Sequence, residues 1–309
     1  MAAAAAGSDG AWTVGAALGW TVDYFTGKSV EAPRRSAEWL LSEATGLTRV
    51  ELYAHHDRPL TAPERDRLRE LVKARATGTP LQYVTGEVCF RHLVLKVRPG
   101  VFIPRPETEV LVDAVLEELA SRDAAGDGPT DGPIVADVCT GSGAVALSVG
   151  HEHPSARVWA TEIVEDTADA ARANADRCEL AERVTIVTGD LLEPLPPEIR
   201  GRVDVLVSNP PYVPTADVAA LPPEVADFEP PIALDGGSDG LAFARRIMVE
   251  AREWLAPGGL LVMELDTGRC ADAAREATAL GYEEVIVRPD LTGRDRIIIA
   301  RHEKGGGAP

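Results

Sequence analysis

From Ile134 onward, short runs rich in Val, Ile and Leu alternate with segments of helical spacing. This alternation confines that part of the chain to a layered α/β fold. The runs at 134–138, 158–161, 184–187, 203–208 and 260–265 are nearly continuous in apolar character. Strands covered on both faces of a parallel sheet need that pattern. Helices are predicted near 165–178, 240–255 and 268–280. The last two strands, 284–288 and 296–300, have no helix between them. They predict a terminal hairpin, hence an antiparallel edge strand on an otherwise parallel, doubly wound sheet.

In such a sheet, ligands sit outside the carboxyl ends of the strands, so the residues that follow each strand carry the functional signal. The first strand runs into Cys139-Thr140-Gly141-Ser142-Gly143 and then a helix start at Ala144. Glycines there permit positive φ and close approach of a ligand to the backbone. Every nucleotide-binding α/β fold shares this turn, and the missing third glycine of the dinucleotide fingerprint disfavours NAD. The second strand ends in Glu162, placed to accept hydrogen bonds from ribose hydroxyls. The third leads to Gly189-Asp190-Leu191, where Asp190 could accept from an adenine amine. Each acid alone reads as a solvated strand-end residue; their succession favours a nucleoside site.

After the strand at 203–208 comes Asn209-Pro210-Pro211-Tyr212. Two prolines neither continue a sheet ladder nor begin a regular helix turn, so the backbone leaves the strand in a fixed, extended way. The Asn209 side-chain oxygen and a nearby main-chain carbonyl can each accept one N–H of a planar NH2 group, with the Tyr212 ring against its plane. Holding both hydrogens aims the weakly nucleophilic nitrogen at an electrophile, which is catalysis by positioning and electrostatics.

This series resembles the S-adenosylmethionine-dependent methyltransferases of Rossmann-like class I, in the branch that methylates amino groups. Four further segments resemble the PrmC/HemK family: Pro80 to Gly86, Arg98 to Glu109 with Ile103-Pro104-Arg105-Pro106-Glu107-Thr108-Glu109 its most specific part, Ala233 to Leu241, and Gly293 to Arg296. The resemblance spans about residues 17–301. It implies a seven-stranded, mostly parallel sheet and S-adenosyl-L-methionine as methyl donor. The substrate implied is the glutamine side-chain amide (N5) in the Gly-Gly-Gln motif of peptide chain release factors. It further implies that Asn209, Pro210, Pro211 and Tyr212 hold the substrate amide, and that Pro104 and Arg105 wall the substrate pocket. Cys139, Thr140, Gly141, Ser142, Gly143, Glu162, Asp190, Leu191 and Asn209 are then the donor-binding residues. The family usually has Gly where Cys139 stands; the departure bears on the φ angle there. Glu107 either pairs with Arg105 or opens the next helix. The alternatives are a ribosomal-protein glutamine methyltransferase and an adenine N6 nucleic-acid methyltransferase. The second needs a basic, aromatic-lined track, and a chain with net charge -18 and 5% aromatics shows no sign of one.

The first part of the chain is helical in spacing, at 12–25, 36–45, 47–52 and 62–76. Thr61-Ala62-Pro63-Glu64 reads as a capping box. The expected organisation is a flexible leader (1–11), a helical release-factor-recognition domain (12–80), a linking β-hairpin (81–104), the methyltransferase domain (105–302) and a flexible tail (303–309). A helix is predicted at 107–120, then an Asp- and Gly-rich surface loop at 122–133. Cys89, Cys139, Cys178 and Cys270 show no metal or redox spacing, and His151-Glu152-His153 reads as a polar turn. With no signal peptide or membrane span, the expectation is a cytoplasmic monomer that binds release factors, contacts no nucleic acid directly and uses no metal.

Overall fold

The computed structural model describes residues 12–126 and 131–303. The leader expected at 1–11 and the tail from residue 304 lie outside them. The chain divides into two compact units, Met1–Gly86 and Glu87–Pro309.

In the first unit, α1 (Val14–Gly27), α2 (Pro33–Thr45), α3 (Arg49–Ala54), α4 (Ala62–Ala76) and α5 (Leu81–Thr85) enclose one apolar cluster. Val14, Phe25, Leu40, Leu41, Leu52 and Leu71 form its centre, each such side chain contributing about 1.5–3 kcal/mol by leaving water. The capping box closes as its spacing predicts. Thr61 Oγ1 accepts from the Glu64 N–H at 3.4 Å, and Glu64 Oε2 accepts from the Thr61 N–H at 2.7 Å. Helix α2 begins three residues before its periodicity does, because Pro33 suits a first helical turn. Residues 81–85, expected at the start of a hairpin, are instead the short helix α5. Its Leu81 and Val84 pack on the helical core.

The second unit opens with the antiparallel pair β1 (Glu87–Phe90) and β2 (Leu93–Lys96). A 3-10 turn, Pro106–Thr108, leads into α6 (Glu109–Ala125). There follow β3 (Ile134–Val138), α7 (Ala144–Glu152), β4 (Arg157–Glu162), α8 (Glu165–Arg177), β5 (Val184–Thr188), β6 (Val203–Ser208), α9 (Pro223–Ala226), α10 (Ala242–Trp254), β7 (Leu255–Glu264), α11 (Cys270–Ala279), β8 (Glu283–Pro289) and β9 (Asp295–Arg301). The seven-stranded sheet has the order β5-β4-β3-β6-β7-β9-β8. Strands β5 to β7 are parallel, and β9 is antiparallel to both neighbours. The terminal hairpin thus forms one edge, with its reversed strand β9 set between β7 and β8. The chain winds away from β3 in both directions, so the crevice over the ends of β3 and β6 is the topological switch point. Every residue of β3 and β6 is buried.

Two local expectations change. The loop predicted at 122–133 starts later, since α6 continues to Ala125 and ends at Gly126 with φ 72°. Arg122 is the reason. Its guanidinium reaches Glu118 at 2.8 Å, Asp204 at 3.0 Å and the Gly258 carbonyl at 2.6 Å, pinning the helix end to the sheet. Residues 127–130 lie outside the described residues. The strand predicted at 260–265 starts at Leu255, taking in Pro257, Gly258 and Gly259, with a register shift against β6.

Candidate active site

A cavity of about 520 Å³ opens over the switch point. One wall is the turn after β3. Asp137, an acid inside an apolar strand, organises it: Oδ2 accepts from the Thr140 hydroxyl at 2.6 Å and the Ala146 N–H at 3.1 Å. Burial pushes Asp137 up to about 7, against those two hydrogen bonds. Cys139 takes φ 63°, the left-handed conformation that the glycine usual there would adopt freely. Its thiol is pushed up by burial, then by the charges of Glu162 and Asp137, which leaves it a poor nucleophile. Cys139, Thr140, Gly141 and Ser142 line the cavity. Gly143 does not: it is the N-cap of α7, and its Cα faces Leu147 and Ala171. Its part is to set the turn.

Glu162, at the end of β4, is 9% exposed. Its two oxygens accept from the N–H groups of Val164 at 3.0 Å and Gly141 at 3.1 Å. Burial raises its pKa while these backbone donors oppose the rise. Asp190 and Leu191 line the same side, although both Asp190 oxygens already meet Arg246, at 3.2 and 2.8 Å. An adenosyl group suits this end. Glu162 keeps lone pairs for ribose hydroxyls, Ile163, Leu191 and Val145 supply apolar faces for a flat base, and space is open beside the Gly141 Cα.

The opposite wall is the tetrapeptide after β6. Ser208 ties β6 to β3 by donating to the Val138 carbonyl at 2.6 Å. Asn209, Pro210, Pro211 and Tyr212 then all line the cavity. Asn209 Nδ2 donates to Thr108 Oγ1 at 3.2 Å, leaving Oδ1 as the free acceptor. The Ala233–Leu241 segment clamps the tetrapeptide from behind. Val213 N–H donates to the Leu234 carbonyl at 2.9 Å, and Gly236 N–H returns the bond to Val213 at 2.8 Å. The approach is close enough that a Cβ on Gly236 would lie 2.7 Å from the Pro211 carbonyl oxygen. Burial lifts the Tyr212 hydroxyl to about 12, helped by Glu264.

Pro104 and Arg105 also line the cavity. Arg105 stacks on Phe102 at 4.9 Å and pairs with buried Glu229, not with Glu107. Glu107 stands in the 3-10 turn that opens α6. Burial raises Glu229, with Arg105 opposing. Arg98 is likewise neutralised, by Asp166 at 2.6 Å, so the two arginines form no free basic patch. His151 and Glu152, expected in a polar turn, end helix α7, with His153 as its C-cap; Arg91 holds Glu152 at 2.5 and 2.8 Å, and Asp123 meets His153 at 3.1 Å.

Sequence reasoning missed Thr108, Asp137, Phe243, Asp266 and Arg296 among the lining residues, and Glu229 and Glu264 beside it. Asp137 and Glu264 carried a signal, an acid in or at the end of an apolar strand. Thr108 and Arg296 lay inside quoted motifs without a role.

Comparison with known proteins agrees with this architecture. The PrmC N-terminal domain family matches residues 16–86, and the methyltransferase small domain family matches residues 98–221. A release factor glutamine methyltransferase of Geobacter sulfurreducens is 42% identical over 290 residues, covering 94% of this chain and 97% of that protein. One of Moorella thermoacetica is 44% identical over 292 residues, covering 93% and 98%. Among solved structures, the hMettl16 catalytic domain in complex with the MAT2A 3'UTR hairpin 6 is 16% identical, with TM-score 0.54 over 78% of this chain and 84% of that one. That likeness concerns the fold alone. At these identities over nearly full length, the chain belongs to the release factor glutamine methyltransferase family.

Proposed function

We propose that this chain methylates the side-chain amide nitrogen of the glutamine in the Gly-Gly-Gln motif of release factors. S-adenosylmethionine is the donor, and the tetrapeptide after β6 is the catalytic element. One observation carries the assignment of roles: a single cavity is lined by that tetrapeptide on one side and by the turn after β3 with Glu162 on the other.

The bound donor supplies an electrophilic methyl group. Asn209 Oδ1 and the Pro210 carbonyl each accept one N–H of the substrate amide, Pro211 fixes the turn and Tyr212 covers the amide plane. With both hydrogens held, the nitrogen lone pair points at the methyl carbon. The new N–C bond forms as the C–S bond breaks, with its electron pair left on sulfur. The amide nitrogen, more acidic as it is alkylated, releases one proton to water. Glu162 positions the ribose, the turn from Cys139 to Gly143 shapes the donor end, and Asp190 and Leu191 border the adenine. Pro104 and Arg105, braced by Glu229, wall the glutamine pocket. The helical unit is the surface that recognises the release factor. Among the described residues no helix is long and apolar enough to cross a membrane, and the reading carries with it a cytoplasmic enzyme, acting as a monomer without direct nucleic-acid contact.

The test is mass spectrometry of a purified release factor incubated with the enzyme and S-adenosylmethionine. One methyl on the Gly-Gly-Gln glutamine, absent from a Gln→Ala factor, is the expected result. Methylation of a ribosomal protein or of adenine in its place overturns the substrate assignment.

A further inference from the structure

We propose that Arg105 donates a hydrogen bond to the side-chain carbonyl oxygen of the substrate glutamine, and so reads which way round its carboxamide enters the cavity. This rests on the functional reading above, in which the two N–H groups of that amide go to Asn209 Oδ1 and the Pro210 carbonyl.

A carboxamide has two nearly isosteric ends, one donating and one accepting. The two acceptors on the tetrapeptide serve the NH2 end and leave the oxygen unserved. A buried carbonyl oxygen without a donor is costly. In a neutral amide the oxygen is also the more nucleophilic end, because the nitrogen lone pair is delocalised into the carbonyl. A wall that gives the oxygen a donor therefore favours the orientation in which nitrogen faces the methyl group.

Arg105 lines the cavity, and its guanidinium is held on two sides. One planar face lies over the Phe102 ring, 4.9 Å from its centroid, and Nη2 donates to Glu229 Oε1. The Glu229 side chain is 1% exposed against 29% for Arg105, and its Oε2 is buried with no hydrogen-bond partner among the described residues. The guanidinium is thus what compensates a buried acid, which ties it in place. Arginine stays protonated and carries five N–H donors in a rigid fork. Among the described residues its Nε and Nη1 meet no acceptor, so donors remain for a ligand. The same turn is tied to Asn209. The Arg105 carbonyl accepts from the Thr108 N–H at 3.0 Å, and Thr108 Oγ1 accepts from Asn209 Nδ2 at 3.2 Å. The donor for the oxygen and the acceptor for the nitrogen therefore stand on one connected frame. Glu229, in the segment that follows the tetrapeptide, closes it.

The experiment crosses enzyme variants with two substrates. The full-length enzyme, loaded with S-adenosylhomocysteine, is titrated with an intact release factor and with its Gln→Ala form. The first variant joins Arg105→Met to Glu229→Met, removing the pair together so that no buried charge is stranded. The second, Arg105→Lys, keeps the charge without the planar fork and carries the comparison if the first melts early. The wild type should bind the glutamine form about 10- to 100-fold more tightly than the alanine form. Most of that preference should vanish in both variants, with the alanine form bound by all three enzymes within about twofold. An undiminished preference in the variants overturns the proposal. So does equal weakening toward both forms, the result of a wall that has merely changed shape. Loss of S-adenosylhomocysteine affinity in calorimetry also overturns it, since the guanidinium then serves the donor. A wild-type enzyme that leaves the release factor unmethylated overturns the functional reading instead.

Discussion

Replacing Gly240 by Ala tests whether the clamp behind the tetrapeptide sets the rate. Gly240 has φ +78°, and a Cβ built there lies 2.3 Å from the Tyr212 carbonyl oxygen and 3.2 Å from its carbon. Ordinary contact begins near 3.4 Å, so the Tyr212 backbone must retreat by about 1 Å, a misplacement worth roughly 100-fold in rate at a reacting centre. A second cost, independent of the clash, is the left-handed backbone itself, about 1–2 kcal/mol for a residue with a Cβ. Gly281 separates the two effects. It has φ +90°, nothing within 4 Å of its Cβ position, and lies between α11 and β8. Gly281→Ala should lose about 1–2 kcal/mol, seen as a Tm lower by about 2–8 °C, and Gly240→Ala at least as much because the clash adds to the backbone cost. Only Gly240→Ala should also lose turnover, by about 100-fold, with S-adenosylhomocysteine affinity retained because Glu162 and the turn after β3 are untouched. The assay is kcat for release-factor methylation beside calorimetry and thermal melts. Equal turnover in the two variants refutes the claim that the tetrapeptide must be held in place to within an ångström.

Four further outcomes are expected. Asn209→Ala should lower kcat by about 100- to 1,000-fold, with S-adenosylhomocysteine affinity mostly intact by calorimetry, because it removes an acceptor used in the transition state. Cys139→Gly should raise stability by up to about 1 kcal/mol in a denaturant titration, relief of the left-handed strain being partly offset by the entropy of glycine. Iodoacetamide mapped by mass spectrometry should label exposed Cys89 well before Cys139, whose thiol is pushed up by burial. In the helical unit, the Arg58 guanidinium, with the Thr61 N–H and hydroxyl, holds Glu64 at about 2, below its ordinary 4.5. The stability this gives is full above pH 4.5 and disappears as pH falls toward 2; Glu64→Gln should therefore cost about 1–2 kcal/mol at pH 7 and nothing near pH 2.

Much of the fold was legible because its determinants are local. Buried parallel strands announce themselves as apolar runs, and the Thr61 box is spelled out within four residues. The failures were local competitions settled at a distance. Nothing in residues 122–126 says helix more than loop. Arg122 decides it by bonding to Asp204 and Gly258, 82 and 136 residues away in the chain. Residues 81–85 became helix rather than hairpin because Leu81 and Val84 had an apolar core to join.

The same division runs through the site. Asn209 to Tyr212, the turn after β3 and Glu162 are contiguous motifs at strand ends, and the topology that brings them to one crevice follows from the strand order. The groups that tune them are not contiguous. Thr108 meets Asn209 across 101 residues and Glu229 meets Arg105 across 124. Each partner is a single acid or hydroxyl whose importance comes from burial, which no pattern of neighbours reveals. A motif can thus name the atom that touches the substrate, while the tautomer, rotamer or flip that makes the atom useful is written elsewhere in the chain. For this enzyme the Asn209 carboxamide is the case in point. Its identity is local, but the hydroxyl its Nδ2 meets belongs to Thr108 in another motif. Thr108→Val, which removes that hydroxyl, should therefore lower kcat while leaving every recognised site residue in place, and a wild-type kcat would refute the argument.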